Sequence, residues 1–88
     1  MNEQTKYRLR DEVKVRKEKF GGLVYDHKDG KLQFIHSHLI MCFLENDGTY
    51  SVQEMAEKIA PGKIKGNAME FIMKSLTDLH KGGVIHEV

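Results

Sequence analysis

Residues 47–54 read Asp47-Gly-Thr-Tyr-Ser51-Val-Gln-Glu54, and this stretch decides how the chain is divided into elements. Ser51 and Glu54 form a capping box, in which the serine hydroxyl accepts a hydrogen bond from the third amide and the glutamate reaches back. Apolar residues then recur at helical spacing as far as Ile59, and Ala60-Pro61-Gly62 ends the pattern. The stretch therefore predicts a helix beginning at Ser51, with Asp47-Gly48 ending the helix before it.

Two further helices are predicted, one on each side of this helix. Ser37 to Asn46 carries apolar residues at helical spacing and stops near Asp47-Gly48. Asn67 is the predicted cap of a third helix, which ends at Lys81-Gly82-Gly83. The alternating tail over 84–88 is a candidate strand or wing.

The N-terminal third of the chain predicts strands. Short runs of β-branched and aromatic residues over 13–16, 21–25 and 32–35 are separated by glycines, and Asp29-Gly30 predicts a hairpin between the last two. Residues 1–12 show no clear periodicity and are predicted to be a loosely ordered arm or a poorly specified first strand. The predicted fold is α+β: a winged helix-turn-helix in which a small N-terminal antiparallel β-sheet of three short strands is followed by a three-helix bundle and a short C-terminal strand, as one domain over 13–88.

The composition argues against several kinds of protein. The 88 residues carry a formal net charge of +1, which is far from the basic balance of a free-standing nucleic-acid binder, although Lys and Arg concentrate in residues 1–31. Cys42 is the single cysteine and the N-terminus lacks the apolar segment of a secretory signal, so we expect a cytoplasmic protein without disulfides. The longest nearly apolar run, Leu39–Leu44, is much shorter than the about 20 residues of a membrane span.

Residues that could support catalysis are few and scattered. His36, His38 and Cys42 could place nitrogen and sulfur ligands near one another, but tetrahedral zinc needs four ligands and no second ligand pair follows. Gly21-Gly22 is too short for a phosphate loop and lacks its lysine. We therefore expect neither an enzyme nor a metal or cofactor site.

Two binding functions remain to be compared. The outward face of the third predicted helix mixes acids and lysines without arginine, which suits DNA poorly; its residues are Asn67, Glu70, Lys74, Thr77, Asp78 and Lys81. The predicted strand 31–35 could instead be an exposed edge to which a peptide adds as a further strand. A winged-helix DNA-binding regulator stays the alternative. A third possibility, an accessory domain of a complex, would bind neither DNA nor a peptide.

The order of these motifs resembles a known family. Residues 43–59, Phe-Leu-Glu-Asn-Asp-Gly-Thr-Tyr-Ser-Val-Gln-Glu-Met-Ala-Glu-Lys-Ile, and residues 71–85, which contain the closing helix and glycine turn, are similar to segments of PqqD-like proteins. The front end Val15-Arg-Lys-Glu-Lys-Phe20-Gly21-Gly-Leu23-Val-Tyr25 resembles the mycofactocin-type peptide chaperones of the same group. The junction over 35–38 lacks the Asn-containing turn of many such chains.

The resemblance implies a recognition element for ribosomally synthesised and modified peptides. Such a protein binds the leader segment of the precursor peptide as an added strand and presents it to a radical S-adenosylmethionine (radical SAM) maturase, with no nucleic acid or membrane involved. Carried onto this chain, the resemblance assigns the strand template to Lys31, Leu32, Gln33, Phe34 and Ile35, and the wall of the cleft to Phe71, Met73, Lys74 and Asp78.

Overall fold

The computed structural model describes all of residues 1–88. Six strands and three helices follow one another along the chain. Their order is β1 (Lys6–Leu9), β2 (Val13–Glu18), β3 (Gly21–Asp26), β4 (Lys31–Ile35), α1 (His38–Phe43), β5 (Asp47–Ser51), α2 (Val52–Ile59), α3 (Asn67–Lys81) and β6 (Ile85–Glu87). No helix is long and apolar enough to cross a membrane.

The first sheet joins the two ends of the chain. Its order is β5-β1-β6, so β1 is the central strand and both neighbours are antiparallel to it. Tyr7 on β1 is fully buried at 0% exposure, and its hydroxyl donates to the carbonyl oxygen of Phe43. Tyr7 therefore belongs to the core, and Leu9 packs against it.

The second sheet is an antiparallel meander with the order β2-β3-β4. Its second turn contains Gly30 at φ +69°, a conformation that glycine adopts without steric cost. The register pairs Val24 with Val15 on one side and with Gln33 on the other, and Val24 is buried. Residues directly opposite one another share a face of a sheet, so these three mark the face that turns towards the helices.

Helix α1 packs closely on this inner face of the second sheet. A Cβ added to Gly22 would lie 2.3 Å from Cε of Met41 on α1, so a larger residue here would force the Met41 side chain to move. The buried core also contains residues of both sheets and of all three helices, among them Tyr7, Val24, Phe43, Val52, Ile72 and Ile85. The two sheets and the helices thus enclose one common core.

Helices α2 and α3 begin and end in different ways. The capping box predicted at Ser51 and Glu54 is present in both directions, with bonds of 3.1 and 2.9 Å. Helix α3 begins after Gly66 without a side-chain cap, so the predicted capping role of Asn67 is wrong. Its end is a Schellman motif, because Val84 N–H donates to Leu79 and Gly83 N–H donates to His80.

The predicted fold order is wrong. A winged helix-turn-helix with one N-terminal sheet, then a helix bundle, does not describe this chain, which has two separate three-stranded sheets. Asp47-Gly48, predicted as the turn that ends the first helix, is the start of strand β5 between α1 and α2. Asn46 shapes the entry into that strand, since its side chain donates to the carbonyl of Tyr50 and accepts from the amide of Gly48.

Candidate functional site

Strand β4 forms an open edge of the second sheet, because β3 is its single neighbour. The His27 amide donates to the carbonyl of Glu12 at 2.8 Å. Because the direction of backbone hydrogen bonds alternates along an antiparallel strand, positions 21, 23 and 25 of β3 also direct their N–H and C=O groups towards β2. Positions 22, 24 and 26 of β3 direct their N–H and C=O groups towards β4, where they pair with Ile35, Gln33 and Lys31. The N–H and C=O groups of Leu32 and Phe34 therefore point away from the sheet and are open to an added strand.

A groove runs between this edge and helix α3. Its volume is about 310 Å3. Buried Ile40 and Leu79 form apolar parts of the lining, while Phe34 and Phe71, exposed by 56% and 50%, stand on its two walls. The full lining is Gln33, Phe34, Ile35, His36, Ser37, Ile40, Phe71, Ser75, Asp78 and Leu79.

The wall formed by α3 follows from helical spacing. Phe71, Ser75 and Asp78 lie four and then three residues apart, which places them on one side of the helix. The neighbouring stripe of Ile72, Leu76 and Leu79 is buried in the core and fixes the rotation of the helix. The side of α3 that faces β4 is thus set by its packing.

Polar groups surround the apolar part of the groove. Ser37 caps α1, where its hydroxyl accepts from the amide of Ile40 at 3.1 Å. Asp78 brings a negative charge to the lining, and exposed Lys31 and Lys74 lie on the two elements that border it. Neither lysine forms an ion pair with another residue of the chain. Both charges are therefore available to a ligand.

The structure brings together most of the site residues that the sequence suggested. Gln33, Phe34, Ile35, Phe71 and Asp78 line one groove. The remaining strand residues, Lys31 and Leu32, continue β4 beyond it, and Lys74 lies on α3 beside the wall without lining it.

Met73 lies elsewhere. It is two residues from Phe71, which is about 200° around a helix, and it lines a second cavity beside α2 with Met69 and Ala56. The assignment of Met73 to the wall of the cleft therefore does not fit the structure.

Several residues of the groove were not predicted from the sequence. His36, Ser37, Ile40, Ser75 and Leu79 complete the lining. The spacing of Ser75 from Phe71 is a signal that could have found it, since positions four apart share a helix face. Ile40 carried no such signal, because a core position on α1 and a position at the groove have the same apolar pattern.

The histidine and cysteine residues near α1 do not converge. His38 donates through Nε2 to the carbonyl oxygen of Lys19 at 2.7 Å, which fixes its ring at the turn between β2 and β3. Cys42 is half-buried and has a free thiol. No three His, Cys, Asp or Glu side chains are grouped as metal ligands would be.

An open strand edge beside an apolar groove is the arrangement of a peptide-binding domain. Residues 6–86 match the peptide chaperone MftB family, and the chain belongs to that family. Among solved structures it is similar to a lasso peptide synthetase B1 complexed with the leader peptide, with a TM-score of 0.67 and 21% identity over 92% of this chain and 98% of that one. That likeness is one of fold. None of the curated proteins compared matches the sequence.

Proposed function

We propose that this chain binds the leader segment of a ribosomally synthesised precursor peptide as an additional strand on β4 and presents it to a radical SAM maturase. The observation that carries the proposal is the open edge of β4 beside the groove to α3, in a member of a peptide chaperone family. The similar lasso peptide synthetase B1 was solved with a leader peptide, which supports the same class of ligand here.

Backbone hydrogen bonds supply the affinity in this proposal. Leu32 and Phe34 each offer one N–H donor and one C=O acceptor on the open edge. An extended peptide satisfies all four groups whatever its side chains are. The strand Lys31, Leu32, Gln33, Phe34 and Ile35 is thus the template, with its even-numbered residues making the bonds.

Side chains of the groove supply the selectivity. A peptide strand on β4 directs every second side chain towards the helices, where Phe71 and Leu79 offer apolar contacts. Lys31 and Lys74 favour acidic residues near these positions, whereas Asp78 opposes them within the groove. The expected leader therefore carries bulky apolar residues at alternate positions, with acidic neighbours.

The chain acts in this proposal as an adaptor without chemistry of its own. Binding both the precursor and the enzyme raises the concentration of one near the other, so that a weak encounter becomes nearly intramolecular. Family membership supports a mycofactocin-type maturation system. We place the activity in the cytoplasm, where the ribosome releases the precursor.

A titration of isotopically labelled protein with the precursor's leader peptide tests the proposal. We expect the backbone amide signals of residues 31–37 and 71–79 to shift and saturate, while those of the first sheet stay in place. Shifts confined to other residues would contradict strand addition. A response to duplex DNA but not to the leader would favour the DNA-binding alternative.

A further inference from the structure

The outer face of the second sheet carries a continuous apolar surface that no helix covers. The register places Leu23 opposite Phe34 and Tyr25 opposite Leu32, so these four side chains share one face. Leu32 and Phe34 are more than half exposed, at 52% and 56%. Phe20 extends the surface, since its ring centre lies 5.9 Å from that of Phe34. We call these five residues the outer sheet face.

This surface is separate from the core and marks an interface. Helix α1 packs on the opposite side of the sheet, against Gly22. Contiguous exposed apolar side chains are uncommon on monomeric proteins and indicate a binding partner. Between β2 and β4 the outer sheet face forms a shallow depression of about 220 Å3 beside Leu23, Tyr25 and Leu32.

Basic residues border the depression. Lys14 lies opposite Tyr25 and Arg16 opposite Leu23, and both line it. Arg16 is paired with Glu18 at 2.6 Å, whereas Lys14 has no ion-pair partner. Lys and Arg also outnumber Asp and Glu over residues 13–35. A partner with an apolar centre and an acidic rim therefore fits this face.

A second copy of the chain fits it poorly. Two copies packed face to face about a twofold axis would each present the same surface. Lys14 and Arg16 of both copies would then border one interface, where like charges oppose association. The charges favour a different protein.

Continuity with the open edge indicates which protein this is. Phe34 belongs both to the outer sheet face and to the groove beside α3. A leader strand added to β4 would extend the outer face by one strand, so a partner seated there touches the chaperone and the peptide together. We infer that the outer sheet face docks the maturase and that leader binding strengthens this docking. The inference rests on the proposed function.

The test compares two double variants of the full chain. Lys14→Glu with Arg16→Glu reverses the charges of the rim, and Lys63→Glu with Lys65→Glu makes the same change away from it. A third variant, Leu23→Ser, removes an apolar side chain from the depression. Affinity is measured for the purified radical SAM maturase of the proposed function, with and without leader peptide, and for the leader alone. Circular dichroism confirms folding.

We expect the rim variant and Leu23→Ser each to weaken enzyme binding by about tenfold or more, which corresponds to about 1.4 kcal/mol. Leader affinity should stay within about twofold of the unmodified chain, and the Lys63 and Lys65 variant should bind both partners normally. Leader peptide should tighten enzyme binding, and the enzyme should tighten leader binding by the same factor.

Each contrary outcome has a separate meaning. Enzyme affinity that is equal in all variants, or absent in the unmodified chain, overturns the docking inference and leaves leader binding intact. A dimer that Leu23→Ser dissociates overturns it in favour of a second copy. Failure to bind the leader, with enzyme binding still sensitive to the rim, refutes the proposed function and the strengthening of docking by the leader, and retains only the docking surface.

Discussion

The hydroxyl of Tyr7 donates a 2.7 Å hydrogen bond to the carbonyl oxygen of Phe43. This bond joins β1, near the N-terminus, to the last turn of α1, and both residues are fully buried. Phe43 lies at the end of its helix, where a carbonyl has no partner within the helix. The carbonyl also accepts from the Asn46 amide at 3.3 Å, and the tyrosine adds the shorter of its two hydrogen bonds in a place that water cannot reach.

Replacing Tyr7 with phenylalanine should lower the free energy of unfolding by about 1 kcal/mol, because the change removes the shorter of the two hydrogen bonds to a buried carbonyl. Urea denaturation followed by circular dichroism measures the difference. Tyr25→Phe is the control, since Tyr25 is exposed on the second sheet and should change stability by less than about 0.5 kcal/mol. Equal losses from both variants would contradict a specific role for the Tyr7 bond.

The same residue makes stability fall in alkali. Burial raises the pKa of Tyr7 well above its usual value, because the charged phenolate would lose its hydration. The folded state thus holds this proton more tightly than the unfolded state, whose tyrosines titrate near about pH 10. The stabilisation is fully present below that pH and decreases as the pH rises above it. Unfolding between pH 8 and 11 should show a steeper loss for the unmodified chain than for Tyr7→Phe.

The strand around Tyr7 shows why the predicted fold order was wrong. Lys6-Tyr7-Arg8-Leu9 alternates polar and apolar residues, but four residues are too few to stand out from a charged N-terminus. Its pairing with β5 and β6 depends on residues some 40 and 80 positions away, and local patterns carry no information about such contacts. β5 was missed for a related reason, since Asp47-Gly48 suggests a turn equally well before a strand and after a helix.

Other elements could be predicted because their signals are local. The capping box at Ser51, the hairpin at Gly30 and the glycine end of α3 each depend on a few adjacent residues. The groove was partly predictable, since an edge strand and a helix face can each be recognised alone. Which face of α3 turns towards β4 depends on tertiary packing, and this is why Phe71 lines the groove and Met73 does not.

The capping box gives a prediction for acidic solution. The hydrogen bond from the Ser51 amide lowers the pKa of Glu54, so the ionised carboxylate is favoured in the folded state. This contribution is present above the pKa of an unfolded glutamate, about 4.3, and is lost as the pH falls through the lower folded value. The difference in thermal midpoint between the unmodified chain and Glu54→Gln should therefore narrow from pH 7 to pH 3. Glu3→Gln is the control, since the side chain of Glu3 accepts no hydrogen bond. Its difference in thermal midpoint from the unmodified chain should not narrow in this way.

Phe34→Pro should weaken leader binding while the chain still folds. Phe34→Pro removes an N–H that points away from the sheet, and proline is tolerated at such positions of edge strands. We expect leader affinity to fall by more than about tenfold, through the lost bond and the lost aromatic contact. Lys17→Pro is the control. Lys17 lies on β2, the other edge strand of this sheet, and its amide likewise points outward from the sheet. Leader binding that survives Phe34→Pro and fails in Lys17→Pro would place the peptide on β2.

Phe71 is the side chain through which α3 should contribute most to leader binding. Half of it is exposed in the free protein, so Phe71→Ser should change the free energy of unfolding by less than about 0.5 kcal/mol. The few hot-spot residues at the centre of an interface, often aromatic, contribute about 2 kcal/mol or more, so with Phe71 as such a residue we expect leader affinity to fall by about thirtyfold. Met73→Ala tests the other face of the helix and should lower stability, because Met73 packs against the core, while leader affinity stays unchanged. Isothermal titration with leader peptide measures both variants, and a larger loss for Met73 than for Phe71 would move the binding site to the second cavity beside α2.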